Sequence, residues 1–216
     1  MDKNKIKEIF NLLKRMYPNA KSELNYSTNF ELLVAVILSA QCTDKRVNII
    51  TSELFKEYNT PKAIGTLPPE KLENLIKSCG LYKSKTVHLI KCSKQILEKF
   101  NGEVPNNLND LISLSGVGRK TANVILAVAF KKPAIAVDTH VFRVANRIGL
   151  TNSKSVDKCE QQLNKVLDKQ DWINAHFILV LFGRYHCTAR NPNCSKCKIN
   201  KFCKYYNKVV KKDVCR

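Results

Sequence analysis

The sequence predicts an all-α fold on two observations. Apolar residues recur at helical spacing in nearly every segment, and no convincing strand-like alternation appears. Capping residues, prolines and glycines also divide the chain into helix-length segments. With 216 residues, the chain is long enough for one or two domains with a real hydrophobic core.

The first half of the chain predicts five helices. A proline or glycine ends some of them, because the residue before proline is pushed out of the α region and glycine favours a helix C-terminus. The predicted helices are one around residues 6–13 that stops before Pro18, a central buried helix over 30–40, a helix from Thr43 or Asp44 to about Tyr58, a short helix from Pro68–Pro69 that ends near Gly80, and a helix capped by Ser84 that runs to about Phe100.

The second half continues the helical pattern after a turn at Asn101–Gly102. Lys132–Pro133 interrupts it once. The predicted helices are a short one over 110–113, a longer one over 119–130, one from Asp138 or Thr139 to Arg147, and two last helices over 156–167 and 172–185. The final thirty residues are expected to form a cysteine-rich loop and a basic tail.

The charge of the chain favours a polyanionic partner. Lysine and arginine (37) outnumber aspartate and glutamate (18), which gives a formal net charge of +19. Such a charge favours nucleic acid before a membrane surface. The alternative is a bias in amino-acid usage, since the chain is also rich in asparagine and isoleucine.

Nine cysteines would fit a secreted disulfide protein, but the N-terminus argues against that class. Residues 1–5 carry charge and lead into an amphipathic stretch rather than an apolar signal core. The longest apolar run, residues 32–38, is too short to span a membrane. We therefore expect a cytoplasmic protein with reduced thiols and no membrane association.

Residues 114–122 (LSGVGRKTA) predict a helix, a tight turn and a second helix. Gly116 and Gly118 allow positive φ and a close approach of the backbone to a ligand. The second helix begins there, so its unpaired N–H groups and its positive dipole end can bind a DNA phosphate. The alternative is an ordinary helix–helix turn that uses glycine for geometry. From the residues alone, Lys120 is a phosphate-binding lysine and Asp138 is a helix cap.

Four cysteines close to the C-terminus form a candidate metal site. Cys187, Cys194, Cys197 and Cys203 follow the pattern C-x6-C-x2-C-x5-C. Four thiolates can bind either one zinc ion or a 4Fe–4S cluster, and the spacing alone does not separate the two. The other five cysteines (42, 79, 92, 159 and 215) lack metal-binding spacing and are expected in the core or without a role.

Several motifs together resemble the endonuclease III family, which are DNA glycosylases of the helix-hairpin-helix superfamily. They are LSGVGRKTAN, AVDTHVFRVANRIG, SAQCTD at 39–44, GLYKSK at 80–85 and the four-cysteine loop. The resemblance covers essentially the whole chain. It implies two helical domains: a six-helix domain with the hairpin over 22–132, and a discontinuous domain over 1–21 and 133–216 with an iron–sulfur loop at 187–203.

The resemblance also implies the activity, which is removal of oxidised pyrimidines from duplex DNA with abasic-site lyase activity through a lysine Schiff base. It places the catalytic lysine and aspartate at Lys120 and Asp138. It assigns one 4Fe–4S cluster to the four loop cysteines. A monomer that binds damaged double-stranded DNA is expected. The residues expected to contact DNA are Gln41, Leu81, Gly116, Val117, Gly118, Arg119, Thr121 and Arg190, with Gln41 and Leu81 filling the vacancy left by the extruded base.

Two positions depart from the family pattern. Ser115 replaces the usual proline before the first glycine, which would loosen the turn slightly. Asn191 replaces a frequent basic residue, so the loop would contact DNA less. For Arg143 and Arg147 both a phosphate contact and a solvated helix face are open, and His186 is expected to be a surface bystander.

Two rival functions remain at this point. One is a DNA-binding module without catalysis, which uses the same hairpin and a structural metal. The other is a monofunctional relative, such as the adenine-mismatch glycosylase. The presence of Lys120 and the short chain count against that relative.

Overall fold

The computed structural model describes residues 1–210. Every regular element in this part of the chain is helical, so the predicted all-α class is confirmed. The chain divides into two compact units. The hairpin unit is Glu23–Lys131, and the loop unit combines Met1–Ser22 with Lys132–Arg216.

The hairpin unit is built around one apolar helix. Its elements are α2 (Asn29–Leu38), α3 (Asp44–Glu57), α4 (Pro61–Gly65), α5 (Pro69–Ile76), α6 (Tyr82–Phe100), α7 (Leu108–Ser113) and α8 (Arg119–Val128), numbered after α1 (Lys3–Met16) of the other unit. Every residue of α2 from Phe30 to Leu38 is buried. Helix α2 contacts α3, α6 and α8, which is why it is apolar on all sides.

The loop unit joins the N-terminal helix to the C-terminal part of the chain. It contains α1, α9 (Thr139–Ile148), α10 (Val156–Val166) and α11 (Trp172–Tyr185), followed by the cysteine loop and short helical turns at Asn200–Phe202 and Tyr206–Val210. One core cluster includes residues from all four helices, among them Leu13, Val144, Leu163 and Leu179. Cys187 and Ile199 extend that core into the cysteine loop.

The structure corrects several of the predicted elements. Ser84 does not cap α6, because the helix already begins at Tyr82 after a left-handed Leu81. Helix α7 begins at Leu108, since the Asn107 side chain accepts a hydrogen bond from the Asp110 N–H. Helix α4 was missed, although Thr60 caps it and Pro61 is its first residue. Part of the predicted basic tail is helical, at Tyr206–Val210.

No helix within residues 1–210 combines the length and the apolar character that crossing a bilayer would require.

Candidate functional site

The predicted hairpin lies between α7 and α8, and its two glycines have different roles. Gly116 has a φ of +79°, in the left-handed region where side chains are strained. A β-carbon at Gly116 would lie 2.9 Å from Cβ of His88 on α6. Gly118 instead has extended backbone, and no atom lies within 4 Å of where its β-carbon would be. Gly116 is therefore required by the turn itself, while Gly118 leaves open space at the start of α8.

Side chains of α6 hold the serine that replaces the family proline. The Ser115 N–H donates to Gln95 Oε1 over 2.7 Å, and Gln95 Nε2 donates to the Ser113 carbonyl over 3.2 Å. The Ser115 hydroxyl lies 3.0 Å from His88 Nδ1. Proline has no N–H and could not make the first of these bonds. The expected loosening of the turn is therefore opposed by contacts that include a bond proline could not make.

The residues that follow the turn are arranged for contact with an anion. Gly118, Arg119 and Lys120 are exposed, and Thr121 is partly exposed. The first N–H groups of α8 have no preceding helical turn to satisfy them, so this helix end favours negative charge. Val117 differs, because its side chain is 5% exposed and its N–H donates to the Leu114 carbonyl. Its side chain holds the turn in the core and cannot itself reach a DNA strand.

Gln41 and Leu81 both have left-handed backbone, with φ values of 53° and 60°. Gln41 is exposed after the C-terminus of α2, and Leu81 is 56% exposed just before α6. An exposed leucine in this conformation is unusual, since non-glycine residues pay a steric penalty there. The sequence singled out both residues by resemblance, but it contained no sign of this backbone geometry.

Asp138 caps α9 in the loop unit. Its Oδ1 accepts a hydrogen bond from the Val141 N–H over 2.7 Å. This is the cap that the residues alone predicted. The bond uses one carboxylate oxygen, and the side chain is only partly buried. Capping therefore fixes the direction of the carboxylate and leaves its second oxygen for other partners.

The structure brings the four predicted ligand cysteines to the lining of one cavity, which is partly open to solvent. Burial, together with smaller contributions from the other three loop cysteines, raises the pKa of the Cys197 thiol to about 11. Burial and neighbouring cysteines also raise the pKa of Cys194 and of Cys203. A bound metal centre would reverse these shifts, because coordination deprotonates thiols. Four thiols that influence one another around one cavity fit a cluster with four cysteine ligands.

No group of three or more histidine, cysteine or acidic side chains within residues 1–210 is arranged to hold a single metal ion.

The cavity is lined further by His186, which stacks on Phe182 with 5.0 Å between ring centroids. Burial lowers the pKa of His186. His186 is therefore partly buried beside the cysteines and does not lie on the surface as predicted.

Two arginines of α9 bind backbone carbonyls of the cysteine loop and of the C-terminal part of α11. Arg147 donates to the carbonyls of Thr188 and Ala189 over 2.6 and 2.8 Å. Arg143 donates to the carbonyls of Gly183 and Cys187 over 2.8 and 3.2 Å. The sequence predicted either a phosphate contact or a solvated face for both. The structure shows a third role, which helical spacing next to a cysteine loop does not reveal.

The loop presents Arg190 and Asn191 as exposed side chains. Arg190 immediately follows the two carbonyls held by Arg147. Of the remaining cysteines, Cys79, Cys92 and Cys159 are buried as expected, Cys42 is partly exposed, and Cys215 lies outside the described residues.

Comparison with known proteins gives the chain close relatives. Residues 34–169 match the family model of the HhH-GPD superfamily of base excision DNA repair proteins. Residues 187–203 match the iron–sulfur binding domain of endonuclease III. The chain is 49% identical to endonuclease III of Haemophilus influenzae, over 97% of this chain and 99% of that protein. It is 47% identical to endonuclease III of Escherichia coli, with the same coverage.

Solved structures agree with these relatives. A trapped endonuclease III–DNA covalent intermediate superposes with a TM-score of 0.93 at 44% identity, over 97% of this chain and 99% of that one. A non-covalent endonuclease III–DNA complex also has a TM-score of 0.93, at 43% identity, over 98% of this chain and 99% of that one. A thermostable thymine-DNA glycosylase shares the fold, with a TM-score of 0.85 at 23% identity over 95% of this chain and 98% of that one.

Proposed function

Because the chain belongs to the endonuclease III family of base-excision DNA-repair proteins, we propose that Lys120 is the nucleophile and that Asp138 is the carboxylate that supports it. The protein is a bifunctional DNA glycosylase and abasic-site lyase, and it carries a 4Fe–4S cluster. The observation that supports this most strongly is near-half identity to endonuclease III over almost the whole chain, together with the lysine at position 120.

The lysine role follows from what the reaction requires. The Lys120 amine attacks C1′ of the sugar, the bond to the base breaks, and the base leaves with a proton. Ring opening then gives a Schiff base, from which loss of a C2′ proton expels the 3′ phosphate by β-elimination. Water releases the amine at the end. Lys120 is exposed on the first turn of α8, two residues after the open space at Gly118. A phosphate held by the start of that helix would fix the DNA backbone next to the amine.

Asp138 suits a charge-stabilising role because its orientation is fixed. The bond from the Val141 N–H holds one carboxylate oxygen. The other oxygen can accept a proton from the attacking amine or stabilise positive charge that grows on the sugar. Capping and catalysis are therefore compatible in one side chain.

We assign DNA binding to contacts with the DNA backbone, which do not depend on the base sequence. In the hairpin unit we assign phosphate contact to the N–H groups of Gly116, Gly118 and Arg119, with the side chains of Arg119 and Thr121. In the loop unit we assign it to Arg190. Such contacts position DNA and carry no sequence information. The net charge of +19 increases the affinity for DNA in a salt-dependent way.

We assign recognition of the damaged site to Gln41 and Leu81, which would fill the stack after the base is extruded. The substrate proposed is a duplex with an oxidised pyrimidine, bound by a monomer in the cytoplasm. The domain division proposed from the sequence, 22–132 against 1–21 and 133–216, separates the hairpin from Asp138 and the cysteine loop. Both parts would be needed for the reaction.

Cys187, Cys194, Cys197 and Cys203 hold the 4Fe–4S cluster. Their bonds to the iron atoms of the cluster would cross-link the loop. Arg147 holds the backbone between the first two ligands, so that Arg190 is presented on an ordered segment.

The test is covalent trapping on a defined duplex. The holoprotein is incubated with a duplex that carries one oxidised pyrimidine, and borohydride is added to reduce the Schiff base. We expect a protein–DNA adduct that Lys120→Ala abolishes and that Lys91→Ala, a change of an exposed lysine on α6, retains. An adduct that persists in Lys120→Ala would overturn the role of Lys120.

The same experiment separates the rival functions. A DNA-binding module without catalysis would bind the duplex in a salt-sensitive way but release no base and form no adduct. A monofunctional glycosylase would release the base without forming an adduct. Duplexes with an oxidised purine or an adenine mismatch, run in parallel, test the proposed substrate class.

A further inference from the structure

The two loops that carry Gln41 and Leu81 lie in close contact. A β-carbon at Gly80 would lie 3.0 Å from the Gln41 carbonyl oxygen. The backbone of one loop therefore packs directly against the backbone of the other. Each loop also holds a non-glycine residue with left-handed φ. Such conformations persist only when the surrounding structure imposes them, and they are concentrated at functional sites.

One buried ammonium group lies behind both loops. Lys85, on the first turn of α6, is 4% exposed. Its Nζ donates to the carbonyls of Leu38 and Ala40 over 2.8 and 2.6 Å, and it contacts the Cys79 sulfur at 3.0 Å. An ammonium has three donors, and here three acceptors surround it. These three interactions offset the free-energy cost of removing the charged ammonium from water.

The three acceptors flank the two strained residues. Leu38 is the last residue of α2, and Ala40 directly precedes Gln41. Cys79 directly precedes Gly80 and Leu81, and the Lys85 N–H donates to the Leu81 carbonyl over 3.0 Å. A cation at a helix C-terminus also binds carbonyls that the helix itself leaves unpaired. Lys85 thus contacts both loops through its side chain and holds Leu81 through its backbone.

We propose that Lys85 is a positioning residue for damage recognition, whose ammonium fixes the Gln41 and Leu81 loops in the conformation that fills the DNA stack. The proposal rests on the recognition role assigned above to Gln41 and Leu81. An apolar side chain could fill the same volume, but it could not donate hydrogen bonds to two carbonyls and a thiol at once. Directed bonds are what hold a backbone in a strained conformation.

The experiment measures base extrusion without cleavage. The Lys120→Ala holoprotein binds a duplex with one oxidised pyrimidine and 2-aminopurine opposite it, a base whose fluorescence rises when it is unstacked. Lys85→Met keeps the length of the side chain and removes its donors. We expect it to lower the preference for damaged over undamaged duplex about tenfold, the effect of one strained conformation that is no longer held. It should also abolish most of the fluorescence rise, while affinity for undamaged duplex stays the same.

A second variant keeps the test decisive if Lys85→Met does not fold. Gly80→Ala places a methyl group against the Gln41 carbonyl without touching the ammonium, and it should reduce the fluorescence rise in the same way. Gly65→Ala is its control, because the added carbon there makes only ordinary contacts at 3.5 Å and beyond. Lys91→Met, at an exposed position of α6, is the control for Lys85→Met.

The outcomes distinguish a failure of the recognition role of Gln41 and Leu81 from a failure of the positioning role of Lys85. If Gln41→Ala and Leu81→Ala leave the fluorescence rise intact, the recognition role of those residues fails, and with it the role of Lys85. If those two variants lose the rise while folded Lys85→Met or Gly80→Ala keeps it, recognition stands and the positioning role is overturned. Loss of the rise in all four, with both controls unchanged, supports the proposal.

Discussion

Gly116 lies so close to His88 that an added β-carbon would be 2.9 Å from Cβ of the histidine. Non-bonded β-carbons in proteins do not approach another carbon atom that closely. The hairpin turn therefore packs directly on α6, and the same helix holds Ser115 through Gln95. The turn is consequently fixed by its neighbours before any DNA arrives.

The two hairpin glycines should fail in different ways when replaced by alanine. Gly116→Ala would be destabilised by about 1–2 kcal/mol from its left-handed backbone alone, and further by the contact with His88. Thermal unfolding should show a midpoint about 2–4 °C lower for each kcal/mol lost. Gly118→Ala should keep the midpoint and weaken DNA binding, because its methyl group fills the open space. Equal midpoints for the two variants would contradict this division.

Asp138 should show separable roles in capping and in catalysis. Asp138→Asn keeps an oxygen for the Val141 N–H but removes the charge, so its stability should match that of the parent while base release slows. Asp138→Ala loses the cap as well and should lose about 1 kcal/mol of stability. Thermal midpoints and single-turnover base release measure the two effects. Full activity in Asp138→Asn would remove the catalytic role.

Arg147 and Arg190 should differ although both are arginines near the cysteine loop. Arg147→Met removes two bonds to loop carbonyls and should cost about 1–3 kcal/mol, measured as faster loss of visible iron–sulfur absorbance on heating. Arg190→Met should keep that absorbance. It should lower DNA affinity and reduce the salt dependence of binding by about one ion. Loss of the cluster in Arg190→Met would show that the exposed arginine has a structural role instead.

Cys92 should make the stability of the protein depend on pH in the alkaline range. Burial raises the pKa of this thiol to about 12, against about 8.5 in an unfolded chain. Above the unfolded value, only the unfolded state loses the proton, so the stabilisation present below it is lost as the pH rises toward the folded value. The slope from this group approaches about 1.4 kcal/mol per pH unit.

Replacement of Cys92 by alanine isolates that contribution. Cys92→Ala should have a lower thermal midpoint near neutral pH, since it leaves a small cavity. Its midpoint should then fall less than that of the parent between about pH 8.5 and 10. Parallel curves for parent and variant would show that Cys92 ionises normally in the folded state.

Much of the molecule could be predicted from local patterns. Helix spacing gave the all-α class, and most helix boundaries followed from caps, prolines and glycines. The errors are also local in origin. Ser84 looked like a cap, but the cap position is Leu81, whose left-handed conformation starts α6 three residues earlier than expected. Leucine has no intrinsic preference for that conformation, so only contacts from outside the segment could impose it.

The candidate site likewise has features that local sequence patterns predict and features that only the folded structure decides. The glycine hairpin and the cysteine spacing are contiguous in sequence, and each limits its own chemistry to a few possibilities. By contrast, the bonds from Lys85 to Leu38 and Ala40 join residues more than forty positions apart. So do the bonds from Arg147 to Thr188 and Ala189. No periodicity or spacing rule reports such pairings.

The sequence by itself determined the helical class, the basic character, the turn at Gly116 and Gly118, and the set of four cysteine donors. Each of these depends on intrinsic residue properties or on neighbours within one or two helical turns. Tertiary structure alone decided which glycine the turn requires, how Ser115 is held, what the α9 arginines bind, and how the Gln41 and Leu81 loops are strained. These features depend on close packing and directed hydrogen bonds between distant segments, which exist only once the chain has folded.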